Sequence, residues 1–244
     1  MTFDTRNPYD KNFFKSKIGF SNYSARKFYN IIKDRLPKLD SVVDIGCGTG
    51  NWLLNFENFG TKKILGIDNF INDSSLLEIK KDQFLRHDLT QPIELNERFD
   101  LAICLEVAEH LPTKSSKILI ESLTKLSDYI LFSAAIPGQG GCNHINEQWQ
   151  SFWTRLFKEY NFDCYDCFRP KIWTDEKIPF WFKQNSFLFI NNNANHELSN
   201  YKNSQIFENI VHPELFAHVS ELRNTGSLKT LISKYLKKIS WKNV

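Results

Sequence analysis

The stretch 42-VVDIGCGTG-50 decides the fold. Val42, Val43 and Ile45 make a short apolar run closed by a glycine, the pattern of a buried strand that turns sharply into a helix. A nicotinamide-type loop, G-x-G-x-x-G, would need a glycine at position 51, and this chain has Asn51. Asp44 sits at the strand end just before Gly46, Gly48 and Gly50. A carboxylate there suits a cationic amine better than a pyrophosphate. The glycines let the backbone approach a ligand closely.

Outward from this turn, helix is expected from about Gly50 to Phe59, then a strand at 62-KKILGID-68 and a short one at 83-QFLRHDL-89. The strand 99-FDLAICLEV-107 follows, then a helix over about Ser115–Leu126 and a fifth strand, 129-YILFSAAIP-137. Trp149, Phe152, Trp153, Leu156, Phe157 and Tyr160 are spaced as an apolar helical stripe. Two late strands, 162-FDCYDCF-168 and 186-SFLFIN-191, flank an insertion rich in Pro and Trp. Alternating strands and helices predict an α/β fold: a doubly wound, mostly parallel seven-stranded sheet with one antiparallel strand. Residues 1–40 are expected to form an N-terminal helical lid, 41–191 the catalytic domain with an acceptor insertion at 169–185, and 192–244 a C-terminal helical tail.

Bulk properties narrow the function classes. A chain of 244 residues that is 41% apolar can bury a substantial core, and a net charge of +3 is too mild to mark a nucleic-acid binder. Five cysteines in no regular framework read as reduced thiols in a cytoplasmic protein. Cys164 and Cys167 form a C-x-x-C within a strand pattern, which places them on opposite faces as core thiols rather than zinc ligands. The N-terminus carries no apolar signal segment, and the most apolar run is too short to span a bilayer.

Ligands of doubly wound sheets bind beyond the carboxyl ends of the strands. That rule gathers Asp44, Asp68, Asp88, Glu106 and the loop 137–147 onto one side. The motifs VVDIGCGTG, ILGID, RHDL and FDLAICLEVAEHLP, spread over Tyr23 to Ile190, resemble those of the class I S-adenosylmethionine-dependent methyltransferases. The resemblance implies S-adenosyl-L-methionine as cofactor and S-adenosyl-L-homocysteine as product. It places the methionine part on Asp44, Gly46, Cys47, Gly48 and Gly50. The ribose falls to Asp68 with Asn69 beside it, the adenine to Asp88 and Leu89, and Glu106 faces the methionine end or the acceptor. LEVAEHLP further resembles the ubiquinone-biosynthesis-type O-methyltransferases. GQGGCNHINEQW and WFKQN resemble a subset that methylates sugars and surface glycans.

The loop 138-GQGGCNHI-145 follows the fifth strand, on the cofactor side. Asn143 or Asn146 is placed to cap the next helix, and Glu147 to lie in its first turn. His144 joins no apolar stripe and is the candidate general base for a hydroxyl acceptor, with Glu147 or Asn146 orienting its ring or contacting the acceptor. His110 is the rival, read as packing near the cofactor. Glu106, His110 and His144 do not have a diagnostic metal-ligand spacing, and no metal is expected. The insertion supplies Arg169, Lys171, Trp173, Trp181 and Gln184 on the acceptor side, its aromatics to stack on a sugar and its Arg or Lys to hold a phosphate. Tyr9, Phe13 and Phe14 are placed to fold over the cofactor. The segment 227-SLKTLISKYLKKISW-241 is amphipathic and basic. It suits packing on its own domain, with a homodimer or a membrane surface as alternatives.

The reading is therefore a small-molecule O-methyltransferase acting on a sugar, sugar phosphate or nucleotide sugar. An RNA methyltransferase would call for an electropositive track and an added binding module, neither evident. A DNA amino-methyltransferase would carry an N/D-P-P-Y/F motif where this chain has CLEVAEH. A non-catalytic scaffold would have no need of the polar acceptor loop.

Overall fold

The computed structural model describes residues 11–71, 73–201 and 209–224. Seven strands form one sheet: β1 (Ser41–Ile45), β2 (Lys63–Asp68), β3 (Phe84–Arg86), β4 (Leu101–Leu105), β5 (Tyr129–Ser133), β6 (Phe162–Tyr165) and β7 (Phe187–Asn191). Their spatial order is β3-β2-β1-β4-β5-β7-β6. The pairs β1–β2, β1–β4, β2–β3 and β4–β5 are parallel, while β7 runs antiparallel to both of its neighbours. The expected single reversed strand is therefore β7. Chain direction reverses sense of travel across the sheet at β1/β4, which places the carboxyl ends of β1, β2 and β4 around one crevice.

Strand alternation sorts the core into two layers. Val42, Ile103, Leu131, Leu188 and Ile190 face one side. There they pack with Ala25, Phe28 and Ile32 of α1 (Lys11–Ile32), Leu53 and Phe56 of α2 (Asn51–Asn58), and Phe182 of α6 (Phe180–Asn185). Val43, Ile45, Ala102, Cys104, Ile130 and Phe132 face the other. Leu119, Ile120 and Leu123 of α3 (Ser116–Leu126) and Trp153 and Phe157 of α4 (Gln150–Lys158) cover them. Between β6 and α6 lies the one-turn α5 (Arg169–Ile172). The latter half of α1 thus shares the sheet's own core, packed as tightly as α2. Cys164 and Cys167 fall in opposite layers.

Compactness divides the chain after Ile210. In the following unit, α7 (Pro213–Asn224) is described. Tyr9 and the basic segment 227–241 lie outside the described residues, as do the side chains of Phe13 and Phe14. Among the described residues, no helix is long and apolar enough to cross a membrane.

The second layer centres on Phe157, fully buried and stacked on Phe189 with ring centroids 3.8 Å apart. Phe157→Ala should remove about 3–5 kcal/mol of stability by transfer loss and cavity creation. Urea unfolding of the two proteins, read as the change in midpoint at constant slope, measures it.

Candidate active site

A cavity of about 310 Å³ opens at the carboxyl ends of β1, β2 and β4, lined by Gly46, Gly48, Asp68, Asn69, Phe70, Asp88, Leu89, Thr90, Glu106, Val107, His110, Leu111 and Pro112. That volume lies at the lower end of the range for small-ligand sites. Seven of the ten residues expected at the cofactor line it: Gly46, Gly48, Asp68, Asn69, Asp88, Leu89 and Glu106.

The wall is built from the glycine turn. Gly46 has φ +78°, and a Cβ there would lie 2.3 Å from the Val107 side chain, itself part of the lining. A side chain at this position would thus collide with the cavity wall as well as strain the backbone. Asp68 closes the turn from β2: its Oδ2 accepts the Gly48 N–H at 2.9 Å and its Oδ1 the Phe70 N–H at 2.7 Å. Each oxygen keeps a second lone pair for a ligand hydroxyl. Glu78, which no sequence motif marks, clamps the far side. It accepts from Thr49 Oγ1 at 2.8 Å and from Asn51 Nδ2 at 2.9 Å.

Three expected cofactor residues do not line the cavity. Cys47 packs in the core layer beneath the turn, and burial pushes its thiol pKa well up. Gly50 precedes α2 in a left-handed conformation and closes the turn, with its N–H on the Cys47 carbonyl at 2.9 Å. Asp44 is buried, and burial followed by the nearby Asp68 charge raises its pKa to about 8. Asp88 does line the cavity while also capping a turn, its Oδ1 accepting from the Thr90 N–H and hydroxyl.

Beyond β4 the backbone of Glu106 takes φ +55°, left-handed for a non-glycine residue. Its N–H donates to the Ser133 carbonyl at 3.0 Å and to Ser133 Oγ at 3.1 Å. Its carboxylate is held by two amides: Asn185 Nδ2 donates to Oε1 at 3.2 Å and Gln139 Nε2 to Oε2 at 3.0 Å. Gln184 ties both amides together, donating to Gln139 Oε1 and Asn185 Oδ1. Burial raises the Glu106 pKa, and the hydrogen bonds from Asn185, Ser133 and Gln139 pull against it.

The loop after β5 differs from expectation in two ways. Helix α4 begins at Gln150, so neither Asn143 nor Asn146 caps it, and Glu147 precedes rather than enters its first turn. Instead Glu147 folds back on the loop's own donors. Its Oε2 accepts the Gly138 N–H and its Oε1 the Gly140 N–H, both at 2.7 Å, and His144 Nδ1 lies 3.0 Å from Oε1. Asn146 is buried as a clamp, donating to the Ala108 carbonyl and Ser116 Oγ and accepting from Thr113 and Gln148. Those bonds engage both of its amide atoms, which moves Asn146 from acceptor contact to loop anchor. His144 and His110 meet edge to face, 4.8 Å between ring centroids.

Arg169, Trp173 and Trp181 of the insertion do not join this group. Arg169 is buried, paired through Nε and Nη2 with both carboxylate oxygens of Asp166, and lies over the Phe187 ring at 4.3 Å. β6 ends at Tyr165, so Arg169 falls in the short α5, where it lines a separate cavity with Trp173, Asp166, Pro170 and Ile210. Trp181 packs edge-on against Phe20, Phe180 and Phe182. The insertion's contribution to the main site is Gln184 and Asn185.

Comparison with known proteins fits this geometry. Residues 19–167 match the family described as methyltransferase domain. A tRNA U34 carboxymethyltransferase of Campylobacter hominis is 29% identical over 135 residues, covering 48% of this chain and 45% of the relative. The chain thus matches less than half the length of that relative. Among solved structures, CalS10, an amino pentose methyltransferase from Micromonospora echinaspora, aligns with a TM-score of 0.55 at 13% identity, over 76% of this chain and 99% of that one. The complex of the Haloferax volcanii Trm112 methyltransferase activator with a putative methyltransferase gives 0.53 at 11% identity, over 77% and 99%. At those identities the likeness is one of fold. With the matched domain, the glycine turn and the acidic strand ends in one crevice, the chain belongs to the class I S-adenosylmethionine-dependent methyltransferases.

Proposed function

We propose that the chain methylates a hydroxyl of a small molecule, a sugar or glycan precursor, with S-adenosyl-L-methionine as donor. The observation that supports this reading is the group at the end of β4. Glu106 and His110 line the cofactor cavity, and the His144–Glu147 pair stands against His110. In this reading Asp44 and the glycine turn take the amino-acid part of the cofactor, Asp68 the ribose hydroxyls, and Asp88 with Leu89 the adenine. Methyl transfer is a direct displacement in which the cofactor supplies both carbon and leaving group. The protein's work is alignment and removal of the hydroxyl proton. In this reading His144 does the latter: Glu147 stands 3.0 Å from Nδ1, which leaves Nε2 as the nitrogen to take the proton. The amide pair Gln139 and Asn185 fixes the Glu106 carboxylate where it can receive a second acceptor hydroxyl.

A second reading takes its support from the tRNA-modifying relative: the acceptor is a tRNA base, reached by the same crevice. Turnover assays with nucleotide sugars and sugar phosphates in one arm and bulk tRNA in the other separate the two. The small-molecule reading fails if only tRNA is modified.

Calorimetry with S-adenosyl-L-homocysteine should show a Kd of micromolar order, near −8 kcal/mol. Asp68→Ala should weaken it markedly, and no heat at millimolar ligand would overturn the cofactor assignment. With the acceptor in hand, His144→Ala should lower kcat by about 10²–10⁴-fold and leave cofactor affinity nearly intact. Turnover within a few-fold of wild type would remove His144 from the chemistry.

Asp44 supplies a pH test. Its folded pKa of about 8 lies above the ordinary carboxyl value of 3.8, so its stabilising contribution is complete below the ordinary value and is lost as pH rises toward 8. Asp44→Asn lacks this titration. The melting temperature of ligand-free wild type should therefore fall relative to the variant between about pH 4 and about pH 8, then run parallel. The same variant should bind S-adenosyl-L-homocysteine more weakly, since an amide cannot offset the ligand's ammonium charge.

A further inference from the structure

Next to the cavity residue His110 lies a buried carboxyl group whose oxygens make no well-formed hydrogen bond. Glu109 is fully buried in the short turn Ala108–His110, and neither of its carboxylate oxygens has a hydrogen-bond partner. Its backbone is engaged, the carbonyl accepting the N–H groups of Ile145 and Asn146 at 2.9 and 3.0 Å. That contact brings the loop after β5 onto the turn, and with it His144. One ligand atom from each of Glu109, His110 and His144 lies within 4.8 Å of the other two. Orphaned buried carboxylate oxygens are costly, and two imidazoles stand where a third party would satisfy all three groups.

The surroundings have the form of a metal ligand shell. A ligating histidine characteristically donates its other ring N–H to a carboxylate or a backbone carbonyl, which fixes the tautomer. Both histidines do so here: His144 through Nδ1 to Glu147, and His110 to the backbone carbonyl of Asn143. Asn143 holds φ +59°, a left-handed conformation in the loop that presents that carbonyl. A Cβ at Gly141 would stand 2.2 Å from His144 Nε2, so the glycine is what leaves room for the ring. Glu106 is not one of the three: Gln139 and Asn185 each hold one of its oxygens, and Glu109 occupies the position.

We infer that Glu109, His110 and His144 form a binding site for a first-row divalent metal ion, three protein ligands with open positions toward the cofactor cavity. Two imidazoles and one carboxylate suit Zn²⁺, Mn²⁺ or Co²⁺ better than Ca²⁺ or Mg²⁺, which take oxygen ligands. His110 is the link, since it also lines the cavity. The inference rests on the reading that a hydroxyl acceptor enters at this end. An acceptor hydroxyl on an open position would lose its proton to solvent more readily, because the ion stabilises the alkoxide. The alkoxide oxygen then forms the O–C bond as the C–S bond of the sulfonium breaks, its electron pair staying on the departing thioether. In the loaded enzyme His144 is a ligand, and the ion replaces it in acidifying the hydroxyl.

The test needs no acceptor. The full chain, stripped with a chelator, is titrated with Co²⁺ and Mn²⁺, followed by visible absorption and by loss of the free-Mn²⁺ resonance signal. One ion per chain is expected, with Co²⁺ absorption bands of a four- or five-coordinate site. The double variant His110→Ala/His144→Ala and the isosteric Glu109→Gln should each lose stoichiometric binding. Glu147→Gln should weaken it by about 10–100-fold as a partner of a ligand. S-adenosyl-L-homocysteine binding by Glu109→Gln reports whether that variant is folded. Absence of binding at millimolar Co²⁺ and Mn²⁺, or stoichiometric binding unchanged in the double variant, overturns the inference. Neither outcome touches the cofactor assignment, which fails only if the homocysteine ligand does not bind.

Discussion

Carboxyl groups crowd the ends of three adjacent parallel strands, and their burial sets the electrostatics of the site. Asp44 ends β1, Asp68 ends β2, and Glu106 and Glu109 follow β4, all within or against one largely buried crevice. Burial and neighbouring negative charge raise the pKa of Asp44, and do so for Glu109 through burial and Glu106. Removed from water, these groups favour whatever brings positive charge. A sulfonium, an ammonium and a divalent ion are all of that kind. The crevice is thus selective by deficit. Its glycine turn and amide pair fix the geometry, and a bound cation would relieve the electrostatic cost of holding it.

The sheet was legible because a parallel sheet covered on both faces writes itself as short apolar runs. Val42–Ile45, Ile64–Ile67, Leu101–Leu105 and Tyr129–Phe132 are such runs, each bounded by polar residues or glycine. What periodicity could not fix were ends. The α4 stripe begins at Trp149 in sequence, yet the helix begins at Gln150, and Glu147 is drawn away from it by two glycine N–H groups. A carboxylate facing donors in its own loop gains more from them than from a weak helix dipole two residues distant.

The cofactor side of the site could be read locally, because each residue there is set by its own strand end. The acceptor side could not, because its contacts cross the chain. Glu106 is held by Gln139 and by Asn185, 79 positions away. Gln139 was visible only as one residue of a glycine-rich loop, and Asn185 only through the resemblance of the WFKQN segment. Arg169 and Trp173 looked like acceptor contacts on the premise that β6 ends at Arg169. It ends at Tyr165, and the intervening turn carries Arg169 into a buried pair with Asp166. Glu109 was legible only as an acidic neighbour of Glu106, because a glutamate in the sequence carries no mark of whether its carboxylate is solvated.

The loop after β5 explains why catalysis and cofactor binding separate in this architecture. Its backbone is pinned at three points. Glu147 gathers Gly138, Gly140 and His144, Asn146 bridges Ala108 and Ser116, and the Glu109 carbonyl takes the N–H groups of Ile145 and Asn146. None of these bonds involves the glycine turn of β1 or Asp68. The imidazole of His144 is therefore oriented by the turn after β4 rather than by the cofactor's own cradle. Under the proposed function, a change in this loop would alter where the acceptor's oxygen meets the methyl group, which is a matter of angstroms and of rate. The cradle formed by Gly46, Gly48 and Asp68 stays as it is. Such independence lets one cofactor fold serve different acceptors, because the segment that chooses the acceptor is anchored to the scaffold and not to the donor.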